Sequence, residues 1–144
     1  MRRRSAHSLV IAVALALLGL TPSPAFAARA KVVWTDVVVP EGEGSARTAS
    51  VLTELLKQAS RKASWAKGSA PLRLSSRVTR LEWTNHGDVV RLAVTIVARI
   101  EGGPSARSHI RVGGKPSERD KLVREALSVL SVGLVNRLAA LSHK

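Results

Sequence analysis

The sequence predicts an α+β fold, a two-layer sandwich of order β-α-β-β-β-α whose mostly antiparallel four-stranded sheet carries two helices on one face. Three observations predict it. A short β-branched run, Val32 to Val39, opens the folded part, two alternating runs between Leu72 and Ile100 meet at a turn, and two segments recur at helical spacing. Strands grouped around a tight turn, with a helix before and after them, favour one sheet with helices segregated to a single side.

Each element has its own local reason. Pro40 stops the first strand, and Glu41-Gly42-Glu43-Gly44 is an acidic turn. From Ser45 the stripe Val51, Leu52, Leu55, Leu56 and Ala59 faces one way, with Glu54, Lys57, Arg61 and Lys62 on the other, so the first helix is amphipathic. Leu72 to Trp83 and Val89 to Ile100 form a hairpin around Asn85-His86-Gly87-Asp88, residue types that tolerate positive φ or close a turn. A third meander strand, Ala106 to Val112, follows Gly102-Gly103-Pro104. The closing helix has Pro116 just outside its start, Ser117 and Asp120 as a capping pair, and a buried stripe of Val123, Leu127, Leu130, Leu134, Leu138 and Leu141.

Period two cannot hold along the whole second strand. Leu72, Leu74, Ser76 and Val78 share one parity while Leu81 and Trp83 have the other, which implies a one-residue bulge near Thr79-Arg80. With Asn85 opposite Asp88, the register pairs Trp83 with Val90, Leu81 with Leu92, Val78 with Val94, Ser76 with Ile96 and Leu74 with Ala98. The outward face is then rich in arginine: Arg73, Arg77, Arg91, Arg99, Arg107 and Arg111. If Ile100 pairs with Ala106, Arg99 lies between Arg73 and Arg107, and Glu82 stands opposite Arg91. Like charges directly opposed across strands cost a few tenths to about 1 kcal/mol per pair, so such a row wants an anion beside it. The face is read either as an anion-binding surface carried by Arg73, Arg77, Arg99, Arg107 and Arg111 or as solvated charge screened by salt.

The first 27 residues carry an address. Arg2, Arg3 and Arg4 precede an apolar run from Leu9 to Leu20, and Ala25-Phe26-Ala27 places small residues at a cleavage site, the pattern of a secretory signal peptide. Twelve apolar residues span about 18 Å, short of a hydrocarbon core of about 30 Å, so cleavage after Ala27 is expected and the product does not span a membrane. Residues 28–144 then form one domain. Loss of three arginines from 23 basic residues leaves 20 against 10 acidic ones, a net charge near +10 that selects anionic partners. The chain has no Cys, which excludes disulfide, thiol and Cys-metal chemistry as well as a lipidated Cys, and fits an exported protein, periplasmic or extracellular.

Catalytic chemistry finds no support in the spacing. His86 lies in a turn, His109 on the outward face and His143 in the tail, so neither a metal set nor an acid-base pair is indicated, and no cofactor is implied. Asn85, His86 and Asp88 are explained by turn formation. Gly113-Gly114-Lys115-Pro116-Ser117 lacks the pattern of a phosphate loop and reads as a hinge and cap, with a weak anion site at the helix terminus formed by Lys115 and Ser117. Trp34 and Trp83 read as core packing, and Trp65 either caps the core or lies exposed at a contact surface. An outward face without aromatics argues against nucleic acid and for an anionic glycan, a lipid head group or an acidic protein, all of which suit guanidinium groups.

The leading strand Val32 to Val39, the helix around Val51 to Ala59, the hairpin Leu72 to Ile100 and the closing helix from Ser117 together resemble small envelope proteins built like the TolB amino-terminal domain and the penicillin-binding-protein activator family. That resemblance implies a binding module in cell-envelope assembly. The expected function is therefore a non-enzymatic exported module that engages an anionic envelope component or an acidic protein. The alternative is a structural subunit that associates through a sheet edge or the Trp65 region.

Overall fold

A computed structural model describes residues 31–144. The signal peptide expected over residues 1–27 lies outside the described residues. The elements are β1 (Val32–Val38), α1 (Ser45–Lys62), β2 (Leu72–His86), β3 (Val89–Ile100), β4 (Ser105–Gly114), a 3-10 turn (Pro116–Glu118) and α2 (Arg119–Leu141). The order β-α-β-β-β-α is the expected one, and the four strands lie in the sheet order β1-β2-β3-β4. β1 runs parallel to β2, and the other two pairings are antiparallel.

One parity of every strand faces the helices. Leu74, Val78, Leu92, Val94, Ile96 and Ala98 pack under Leu52 and Leu56 of α1 and Leu127, Leu130, Leu134 and Leu138 of α2. Each large aliphatic side chain fully buried in this way contributes about 1.5–3 kcal/mol of transfer free energy, and Ser60, Ser76 and Ser131 are the buried polar side chains on this side of the sheet among the described residues. The buried stripe of α2 is broader than the expected leucine row, since Leu122, Ala126, Val135 and Ala139 join it.

The expected bulge is present at Thr79: Val78 opposes Ile96 and Arg80 opposes Thr95, so Thr79 has no partner. Val78 and Leu81 consequently both pack on the helix side, although three positions apart. A second bulge lies in β1, where the register shifts between Trp34 and Asp36 and Thr35 Oγ1 donates to the Leu74 carbonyl at 3.1 Å.

The register of both hairpins differs from the expected one by two residues. His86 opposes Val89, so the turn consists of Gly87 and Asp88, and Trp83 meets Leu92, Leu81 meets Val94, Val78 meets Ile96, Ser76 meets Ala98 and Leu74 meets Ile100. The cause is turn chemistry. Gly87 has φ 61 while no non-glycine residue among the described residues has positive φ, the arrangement of a II′ turn with glycine at its first central position. In the second hairpin Arg99 pairs with Ser105 and Ala98 with Ala106, around a turn in which Gly103 N–H donates to the Ile100 carbonyl and Gly102 has φ 70.

The closing helix begins later than its expected cap. Ser117 lies inside the 3-10 turn, and α2 starts at Arg119 without a side-chain cap. In place of a Ser117–Asp120 pair, Glu118 Oε2 accepts from the Lys115 N–H at 3.3 Å. Gly113 and Gly114 belong to β4 and do not form a hinge. Farther along α2, Arg137 Nη1 reaches the edge of the sheet and donates to the Arg107 carbonyl of β4 at 2.7 Å.

Candidate functional site

With both helices on one side, the opposite sheet face is open. A slip of two residues preserves parity, so Arg73, Arg77, Arg91, Arg99, Arg107 and Arg111 all occupy that face as expected. Their arrangement differs. Arg99 stands between Ser75 and Ser105, Val97 stands between Arg77 and Arg107, and Ala93 stands between Glu82 and Arg111. The expected row of Arg73, Arg99 and Arg107 is therefore not formed. No arginine of the three antiparallel strands directly opposes another, and the charges alternate with small or apolar residues in a checkerboard.

This pattern removes the expected repulsion while keeping the charge density. Arg77 and Arg107 sit two strands apart, about 10 Å at the backbone, and Arg99 lies one pleat away, close enough for three flexible guanidinium groups to converge on one polyanion. Glu82 does not face Arg91. It pairs with its own strand neighbour Arg80, whose Nη2 lies 2.7 Å from Glu82 Oε2 and whose Nε donates to the same oxygen at 2.8 Å. The other six arginines of the face have no carboxylate within 4.0 Å among the described residues. Beneath them Thr95, only 2% exposed, forms a 2.8 Å hydrogen bond between its Oγ1 and His109 Nδ1. His109 is thus held upright between Arg107 and Arg111.

Lys115 and Ser117 are exposed and flank the 3-10 turn, where Glu118 already occupies the Lys115 N–H. Asn85 accepts from Arg119 Nη2 at 3.3 Å, and Arg119 lies 5.1 Å from the centroid of the Trp83 ring, so this end of the hairpin is tied to the start of α2. His143 Nε2 contacts the Ser64 carbonyl at 3.0 Å. Among the described residues no three His, Asp or Glu side chains are grouped to hold a metal ion, and no helix is long and apolar enough to cross a membrane.

A second feature is one that reading the chain left out. Between the edge of β1 and the last turns of α1 lies a groove of about 980 Å³, lined by Lys31, Val32, Trp34, Lys57, Arg61 and Lys62 among others. Its floor is built on Ser60. Trp34 Nε1 donates to Ser60 Oγ at 2.9 Å, and Trp65 Nε1 donates to the Ser60 carbonyl at 2.9 Å. Trp65 is only 9% exposed, which resolves its position in favour of the core. The available signal was the cationic stripe of α1, read simply as its solvent side.

Comparison with known proteins leaves the family open. No family model matches the chain, and no curated protein matches it. Among solved structures it is similar to a lipoprotein candidate from Caulobacter crescentus, at 16% identity over 72% of this chain and 83% of the other, with a TM-score of 0.42. A minor lipoprotein from Acinetobacter baumannii is 12% identical over 73% of this chain and 92% of the other, with a TM-score of 0.41. The PelC protein of Paraburkholderia phytofirmans, solved as a dodecamer, is 21% identical over 80% of this chain and 88% of the other, with a TM-score of 0.37.

Proposed function

We propose that this chain is a non-enzymatic module, exported to the cell envelope or beyond, that binds an anionic envelope component or an acidic protein through the open arginine face of its sheet. One observation carries the reading: six outward arginines on three adjacent strands, none paired with a carboxylate among the described residues, on a face that neither helix covers. Guanidinium groups recognise carboxylate and phosphate oxygens by two-pronged hydrogen bonds, and a flat array of them suits a repeating anion better than a single small one. The lack of aromatics on this face favours glycans, lipid head groups or acidic side chains over nucleic acid, which would use stacking platforms.

The test is retention of the mature protein on phosphatidylglycerol vesicles and on an immobilised carboxylated polysaccharide, at low and at moderate salt. Binding is expected to fall steeply with salt, and the variant Arg77→Gln, Arg99→Gln, Arg107→Gln is expected to lose it while unfolding at the parent's denaturant concentration. Equal retention of variant and parent on both matrices rules the reading out.

A second reading, a structural subunit without a ligand of its own, draws support from Val129 and Val132 on the outer side of α2, which are 60% and 51% exposed. Association through them would persist at high salt, and sedimentation at two salt concentrations separates the two readings.

A further inference from the structure

The groove beside β1 lies next to an unpaired strand edge, and the two features complement each other. The Leu72 N–H donates to the Lys31 carbonyl at 2.8 Å, so in the parallel ladder Val32 turns its own N–H and C=O away from β2, toward the outside of the sheet. Among the described residues no strand lies beyond β1. The bulge at Thr35 divides this edge into unlike halves. After it come Asp36 and the exposed Val38, where the shifted register and a negative charge discourage pairing, as edge bulges and charges commonly do. Before it the edge is regular, and the groove opens alongside.

Charge points to the occupant. Lys31, Lys57, Arg61 and Lys62 all line the groove, and among the described residues the one carboxylate within 4.0 Å of any of them is Glu54, a loose 3.9 Å partner of Lys57. Arg61 and Lys62 in the last turn of α1 offset the negative end of the helix dipole, worth about half a charge, which leaves most of this positive charge unanswered. A strand added to β1 would lie about 4.8 Å outside it, with alternate side chains directed into the groove and onto the opposite face beside Val33. An acidic residue at the first parity meets Lys57 and Arg61, and an apolar one at the second packs on Val33.

We propose that the Lys31–Trp34 edge of β1 and its groove form a docking site for an extended acidic peptide segment of a partner protein, added as a fifth strand. Main-chain hydrogen bonds to Val32 supply the pairing, and the four cations select sequences in which acidic and β-branched residues alternate. The groove lies on the helix side of the sheet, and the site does not depend on Arg77, Arg99 or Arg107.

The probe is a capped hexapeptide of alternating Glu and Val, titrated into the mature protein with tryptophan fluorescence and calorimetry as readouts. Three changes are each expected to weaken it tenfold or more: N-methylation of alternate peptide nitrogens, Lys57→Gln with Arg61→Gln, and Val32→Pro. Val32 is the first residue of β1 and its N–H points outward, so proline there removes a donor to the added strand without removing one from the β1–β2 ladder. Undiminished binding of the N-methylated peptide would mean charge attraction without strand pairing, and undiminished binding to the Lys57, Arg61 variant would place the peptide elsewhere. Either result overturns the proposal, as does failure of the unmodified peptide to bind. A protein that dimerises alone and becomes monomeric on Val32→Pro would mean that a second copy occupies the edge, which also overturns it. The variant Arg77→Gln, Arg99→Gln, Arg107→Gln is expected to bind the peptide within twofold of the parent, so failure of the edge site and failure of the arginine face are distinguishable.

Discussion

Trp34 Nε1 donates to Ser60 Oγ at 2.9 Å, a bond across 26 sequence positions that fastens the edge strand to the last turn of α1. The same hydroxyl donates its own proton to the Leu56 carbonyl at 2.7 Å. Replacing Ser60 by Ala leaves the half-buried indole N–H without its acceptor. Stability is expected to fall by about 1–2 kcal/mol, seen as a lower urea midpoint at unchanged slope. Trp34→Phe combined with Ser60→Ala should then cost less than the sum of the two single changes, because the second removes no further bond.

Ser131 offers the opposite case. It lies on the buried side of α2, 1% exposed, and its Oγ has no hydrogen-bond partner among the described residues. Ser131→Ala keeps the shape, removes an unpaired polar atom and raises helix propensity. A gain of about 1 kcal/mol is expected, together with a rise of several degrees in the thermal midpoint.

Thr79 carries the change of parity in β2. Its deletion would make Val78, Arg80 and Leu81 consecutive in a regular strand with Leu81 and Trp83 still inward, whereas one residue inserted after Arg80 would turn Leu81 and Trp83 to the open face or force the hairpin to slip by one residue. The insertion variant is expected to lose cooperative unfolding, whereas the deletion variant, which removes only an exposed and unpaired residue, should still unfold cooperatively with its tryptophans packed as in the parent. Near-ultraviolet dichroism of the three tryptophans would register the difference.

Gly87 is expected to be sensitive for a backbone reason alone. A side chain would meet nothing within 4 Å, yet φ 61 disfavours any residue with a Cβ. Gly87→Ala should cost about 1–2 kcal/mol and Gly87→Asn less, as measured by chemical denaturation.

Arg77→Gln with Arg107→Gln should move stability by no more than about 0.5 kcal/mol, since Val97 separates the two guanidinium stems and neither opposes a like charge. A gain above about 1 kcal/mol would mean that the checkerboard fails to relieve their repulsion.

Which residues face the helices was legible in the chain because alternation is a local property. The mismatch of parity between Val78 and Leu81 even located the bulge. Register was not legible, because a slip of two residues leaves every inward and outward assignment unchanged and only the turn decides between the alternatives. Gly87 and Asp88 decided it, and with it whether Arg99 stands among arginines or serines. The groove at Ser60 was harder still to read. Its walls come from Lys31, from the end of α1 and from Trp65, and only the parallel crossover from β1 through α1 to β2 brings them together.

The two margins of the sheet are finished differently. On one, Arg137 of α2 occupies the Arg107 carbonyl and the strand displays Arg107, His109 and Arg111. On the other, no strand among the described residues pairs with the outward N–H and C=O of Val32. Fibrous growth by stacking copies edge on edge needs two receptive margins, and this molecule has one. Each strand accepted at β1 therefore ends the series unless it brings a fresh edge of its own, so the same backbone that can take a ligand gives copies of the protein no route to an indefinite sheet.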